Sequence, residues 1–166
     1  MKRSTYLIAV IFALAISEYS QSPRLTAGDL RPLEGKQWIG ELTYLDYQSK
    51  KPTSIKSNVT VSRRSSDKLK WTFTMQYPLE PKADRVDEVV LSEDGRTFDG
   101  ETVTESTRSP DGTLRIVTTM AGKDDHRDAT IRHTYLVGPK AFSIKKEVKF
   151  DGSDTYFVRN TYRWTR

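Results

Sequence analysis

Lys70-Trp71-Thr72-Phe73-Thr74-Met75-Gln76-Tyr77 alternates without a break: Trp71, Phe73, Met75 and Tyr77 fall on one side, and Lys70, Thr72, Thr74 and Gln76 on the other. Successive side chains of an extended chain point to opposite faces, so this stretch reads as a strand with one buried and one wet face. A helix would space its apolar residues three and four apart, and no segment of residues 23–166 longer than a turn has that period. Outward from this stretch the same beat recurs. It predicts nine strands, roughly 37–47, 53–63, 68–77, 85–92, 96–107, 113–121, 127–137, 141–150 and 153–165.

The connections carry hairpin chemistry. Glu93-Asp94-Gly95, Ser109-Pro110-Asp111-Gly112 and Asp151-Gly152 place a glycine where a tight turn needs positive φ. Gly138-Pro139 and Gly122-Lys123-Asp124-Asp125 read as further turns, and Pro78–Asp84 as a longer loop lying over a barrel mouth. Short connections make neighbours in sequence neighbours in space, and a long meander curls until its edges meet. The expected fold class is all-β, an antiparallel up-and-down β-barrel of about 8–10 strands. A two-sheet β-sandwich is the alternative. A membrane barrel would turn apolar residues outward. Here one face of nearly every strand is Thr, Lys, Arg, Glu or Ser, so the mature domain is not expected to insert in a membrane.

Residues 1–22 have the order of a secretory signal peptide: basic Met1-Lys2-Arg3, an apolar run from Leu7 to Ile16, then polar Ser17 to Ser22. The apolar run is too short to cross a hydrocarbon core of about 30 Å. Small residues suit cleavage after Ser17 or after Ser22, and with no Cys there is no lipoprotein site. A secreted or periplasmic protein is expected. Residues 23–35 read as an extended leader with one helical turn at Leu30–Leu33 closing a barrel end, and 36–166 as a single β-barrel domain.

Of the 166 residues none is Cys and two are His, which excludes thiolate catalysis and leaves too few ligands for a zinc site. The formal charge is +5, with Lys2 and Arg3 in the expected signal peptide. The remaining charges interleave, as in Lys145-Lys146-Glu147-Val148-Lys149, and Asp67 interrupts the densest basic group, Arg63, Arg64, Lys68 and Lys70. A nucleic-acid partner needs a clustered basic face, so none is expected. The nucleophile elbow, zinc-protease motif, phosphate loop and dinucleotide fingerprint are all missing, and no cofactor is expected. A carboxylate pair assembled across strands, Glu41 with Glu88 or Glu147, stays open as acid–base chemistry.

The segment Leu33-Glu34-Gly35-Lys36-Gln37-Trp38-Ile39-Gly40 resembles the opening of lipocalin-like (calycin) barrels, in which a Gly and then a Trp mark the start of strand one. The resemblance implies that Trp38 packs at the closed end beneath an Arg of the last strand, from among Arg159, Arg163 and Arg166. Guanidinium stacking on an indole face gives that a physical reason.

The inward face supplies the candidate ligand-binding residues. His133 shares its phase with Ile131, Tyr135 and Val137, and Lys146 with Phe142, Ile144 and Val148. Together they suit an anionic head group inside an apolar cavity. A His bonded to a neighbouring Tyr or to backbone is the favoured reading of His133, and a Lys at a β-bulge or snorkelling to the mouth explains Lys146 at least as well. Trp71, Phe73, Tyr135 and Phe142 are expected to line a cavity of several hundred Å3, on the order of known ligand sites. Tyr44 and Asp46 follow Trp38 and Leu42 in phase, while Tyr47 faces the other way; Asp46 either anchors a polar ligand or caps a turn. His126 reads as part of a solvated turn. The expected partner is a small hydrophobic or amphipathic ligand, bound without chemistry. The alternatives are a solid-cored module contacting protein or glycan through Tyr47 and the 78–84 loop, and a small hydrolase or isomerase with its site in the barrel mouth.

Overall fold

In the computed structural model, which describes residues 22–64 and 66–166, the Trp71–Gln76 alternation is a strand whose Trp71, Phe73 and Met75 are buried while Gln76 is exposed. It is the third of ten: β1 (Gln37–Asp46), β2 (Lys51–Arg63), β3 (Lys70–Gln76), β4 (Arg85–Val90), β5 (Thr97–Phe98), β6 (Glu101–Arg108), β7 (Leu114–Asp124), β8 (Arg127–Val137), β9 (Ala141–Phe150) and β10 (Phe157–Thr165). All pair antiparallel in one sheet ordered β4-β3-β2-β1-β10-β9-β8-β7-β6-β5. The sequence-based strand over 96–107 is two strands. Asp99 and Gly100 both take positive φ, 53° and 76°, and turn the chain back so that Phe98 pairs Glu101. The expected polar turn at 122–125 is also shorter: Gly122 to Asp124 continue β7, and Asp125-His126, at φ 48° and 60°, make a two-residue hairpin. The Pro78–Asp84 loop holds a 3-10 turn, Pro81–Ala83, at the open end.

Closure decides barrel over sandwich. Leu91 bridges Phe98, and the amides of Ser92 and Asp99 donate to Thr97 O and Val90 O at 3.0 and 2.7 Å, which brings β4 onto β5. The closure is partial because β5 has two residues. Among the described residues Arg85–Glu88 pair only with β3, and Met120–Asp124 only with β8, since β6 begins pairing at Thr102↔Thr119. The barrel is therefore slit on one side, between the first half of β4 and the last half of β7.

One end is plugged. Residues Ala27–Leu33 form a 3-10 helix that buries Leu30 and Leu33, and Leu25 lies in the same core. The leader is thus packed against the barrel rather than merely extended. It runs so close to Gly95 (φ 70°) that a Cβ there would strike the Leu25 backbone. Trp38 Nε1 donates to Leu33 O at 3.1 Å, and the Arg166 guanidinium sits 4.4 Å over the Trp38 ring while donating to Pro139 O and Pro32 O. Of the three candidate arginines, Arg166 is the one over the indole. The signal-peptide expectation for residues 1–22 lies, Ser22 apart, outside the described residues.

Candidate functional site

Register sorts the inward side chains into layers. Next to the plug, Leu114, Val137, Phe142, Trp164 and Gly40 are successive cross-strand partners from β7 to β1. One step further, Ile116, Tyr135, Ile144, Tyr162 and Leu42 form a second, mostly apolar layer. The third is polar across the same five strands: Thr118, His133, Lys146, Asn160 and Tyr44. His133 and Lys146 are direct partners within it. The two residues that interrupt the apolar phase in sequence belong to a polar belt above an apolar floor.

A cavity of about 650 Å3 lies at this boundary. Phe73, Met75, Val89, Phe98, Tyr135, Ile144 and Tyr162 line its apolar side; Arg85, Asp87, Asp99, His133, Lys146 and Asn160 line its polar side. Its wall includes the slit edge, Arg85–Glu88 with Asp99. A second space of about 370 Å3, lined by Leu42, Tyr44, Ile55 and Tyr77, shares Arg85, Lys146, Asn160 and Tyr162 with the first.

The belt is held from outside its own strands. His133 Nδ1 lies 2.8 and 2.9 Å from the two oxygens of Glu101, whose carboxylate also accepts from Thr118 Oγ1. Glu101 is buried at the start of β6, beside the Asp99-Gly100 turn. With Nδ1 turned to a carboxylate, Nε2 is the ring atom left for a guest, and among the described residues it has no protein partner. Burial pushes the Tyr135 hydroxyl up, and the Glu101 and Asp99 carboxylates push it further, so it stays a neutral donor. Burial also raises the Asp99 carboxyl, reinforced by Glu101 and Asp87.

A second cluster straps the mouth. The Asp124 carboxylate, at the tip of β7, lies 2.8 Å from Lys146 Nζ and 3.6 Å from Arg159 Nε and accepts from the Tyr47 hydroxyl. Tyr47 follows β1, which three strands separate from β7 in the sheet, so this contact crosses the barrel opening. A β-bulge between Val158 and Asn160 turns Arg159 to the cluster, where it lies 4.1 Å over the Tyr47 ring and donates to Leu45 O. Burial works against ionisation of Asp124, but hydrogen bonds from Lys146 and Tyr47 outweigh it and hold the carboxyl below its ordinary value. The same burial and bond push Tyr47 up to about 12.

The expected ligand residues divide accordingly. His133, Lys146, Tyr135 and Phe73 come together on the cavity wall, and Tyr44 on the adjoining space. Trp71 and Phe142 do not: both are 1 % exposed in the closed-end core, Trp71 donating to Glu34 Oε1 at 2.9 Å and Phe142 stacked on Trp164. Lys146 faces inward with its ammonium already matched by Asp124, so a bulge is not needed at that residue. Asp46 caps the β1–β2 turn, accepting from Gln48 N at 2.8 Å. Tyr47 turns in rather than away. Glu41 is exposed, Glu88 meets Arg64, and Glu147 meets Arg132 and Lys145, so these three are not a pair. Glu101, Asp99, Asp87, Asp124 and Arg85 were the residues that alternation missed.

No protein-family model matches this chain, and no curated protein matches it in sequence. The cavity's own chemistry is an apolar floor, a belt of donors and acceptors, and one imidazole held by a buried carboxylate.

Proposed function

We propose that this protein is a secreted or periplasmic, lipocalin-like carrier or sensor that holds one small amphipathic ligand in its barrel without changing it. The observation behind this reading is the 650 Å3 cavity at the junction of an apolar and a polar layer, in a barrel plugged at one end. The Arg166–Trp38 stack at the closed end agrees with the lipocalin resemblance. A solid-cored module would have filled that space with side chains.

Native mass spectrometry of protein purified from its own host tests the proposal. A co-purified small molecule of one mass supports it; a clean apo mass counts against it. An isomerase or hydrolase is a second reading with one observation of its own, since a carboxylate-held imidazole facing a cavity is the arrangement general-base catalysis uses. Incubating the released molecule with fresh protein separates the two: a carrier returns it unchanged and an enzyme converts it.

A further inference from the structure

The polar wall of the cavity is unequally charged. Arg85 Nε meets Asp87 at 2.7 Å, and Lys146 Nζ and Arg159 Nε lie 2.8 and 3.6 Å from the Asp124 carboxylate, so each of these cations is already held by a carboxylate. Asp99 and Glu101 then face His133 alone. With both carboxylates ionised, the imidazole can balance at most one of them on this side of the cavity. Glu101 is occupied by His133 and Thr118, whereas Asp99, exposed at the cavity edge, has no side-chain hydrogen-bond or ion-pair partner among the described residues.

The remaining groups ask for the same guest. If Nδ1–H of His133 is given to Glu101, Nε2 is an acceptor, as is an unpaired carboxylate. Ring faces border the site: Phe98 and Tyr135 pack edge to face at 5.2 Å, and Tyr162 lines the same cavity. A carboxylate, an acceptor nitrogen and aromatic faces together suit an ammonium group, which brings several N–H donors and a positive charge. A carboxylate or phosphate head group placed there would meet repulsion from Asp99, while Arg85, Lys146 and Arg159 are held by other carboxylates.

We infer that the guest is an amine carrying an apolar tail, its ammonium between Asp99 and His133 and its tail against Phe73 and Ile144. This rests on the carrier reading above and names the ligand's chemical class.

Isothermal titration of the purified chain at neutral pH with decylamine, decanoate and 1-decanol, each below its micellar concentration, tests it. The expected result is tightest binding of decylamine, by about tenfold or more over the other two, the scale of one charge-assisted hydrogen bond. Asp99→Asn should remove that preference, bringing decylamine down to the affinity of 1-decanol for the same variant. Asn takes positive φ readily, so the turn at φ 53° is kept, which circular dichroism checks. If decanoate or 1-decanol binds as tightly as decylamine, the amine inference falls and the carrier reading stands. If decylamine is preferred but Asp99→Asn leaves the preference intact, the placement at Asp99 is overturned. If none of the three binds, the carrier reading fails and this inference with it.

Discussion

His133 and Glu101, 32 positions apart in the chain, meet across β7 with Nδ1 2.8 Å from the carboxylate, and Thr118 on the strand between them donates to the same group. The pair joins the closing hairpin of the barrel to its long β7–β8 wall. Glu101→Ala strips two inward polar groups of their acceptor at once. Leaving such groups unpaired costs about 1–3 kcal/mol each at most burial, so urea denaturation should show a loss of about 2–3 kcal/mol. Glu101→Gln keeps one acceptor oxygen and should lose less. An alanine variant as stable as the parent would mean that the carboxylate does not hold the belt.

Asp124 gives the mouth a dependence on pH. Its folded carboxyl lies below the ordinary value, so its contribution is fully present above the unfolded pKa of about 4 and is lost as pH falls through the folded one. Asp124→Asn should therefore be less stable than the parent at pH 7, with the gap narrowing below about pH 4. Parallel urea titrations at the two pH values measure this, and a gap unchanged by acid would refute it.

Asp99 works in the opposite sense. The residue is exposed at the cavity edge, yet partial desolvation there, then Glu101 and Asp87, raise its carboxyl, so ionising it opposes folding weakly. Stability should fall as pH rises through the Asp99 titration, and Asp99→Asn should melt higher than the parent at pH 7 but not at pH 3. A variant that melts lower at pH 7 would contradict the raised carboxyl.

Gly40 and Ser57, partners across β1 and β2, should respond in opposite directions. A Cβ on Gly40 would land on the Arg163 carbonyl and the Trp164 backbone, where a whole strand must move. Gly40→Ala should cost on the order of 3 kcal/mol or leave the protein insoluble. Ser57 is fully buried with its Oγ unpaired, so Ser57→Ala should be neutral or stabilise by up to about 1 kcal/mol. Soluble yield and thermal melting of both variants are the measurements.

How far the sequence carried can be seen residue by residue. Alternation assigned Trp71, Phe73 and Met75 to one face, and they are buried. It put His133 and Lys146 in the apolar phase, and both face inward. It did not recognise Asp99-Gly100 as a hairpin, because Thr97 and Thr102 continue a strand-like pattern on either side of a turn only two residues long. That same hairpin positions Glu101, so missing one missed the other. Tyr47 was assigned to the outer face because a period of two was carried past the end of β1, where the chain leaves the sheet.

Sequence alone determined that this chain forms antiparallel strands in a meander, because side-chain direction and turn geometry are local properties of a few residues. Depth along the barrel was decided only by the tertiary structure. Alternation separates inside from outside but is blind to register, which depends on pairing between distant strands. Register is what puts Trp71 and Phe142 in the plug-end core, and His133, Lys146 and Asn160 side by side in a polar belt. Charge balance is decided the same way: Lys146 reads as a free cation until the β7 tip brings Asp124 to it.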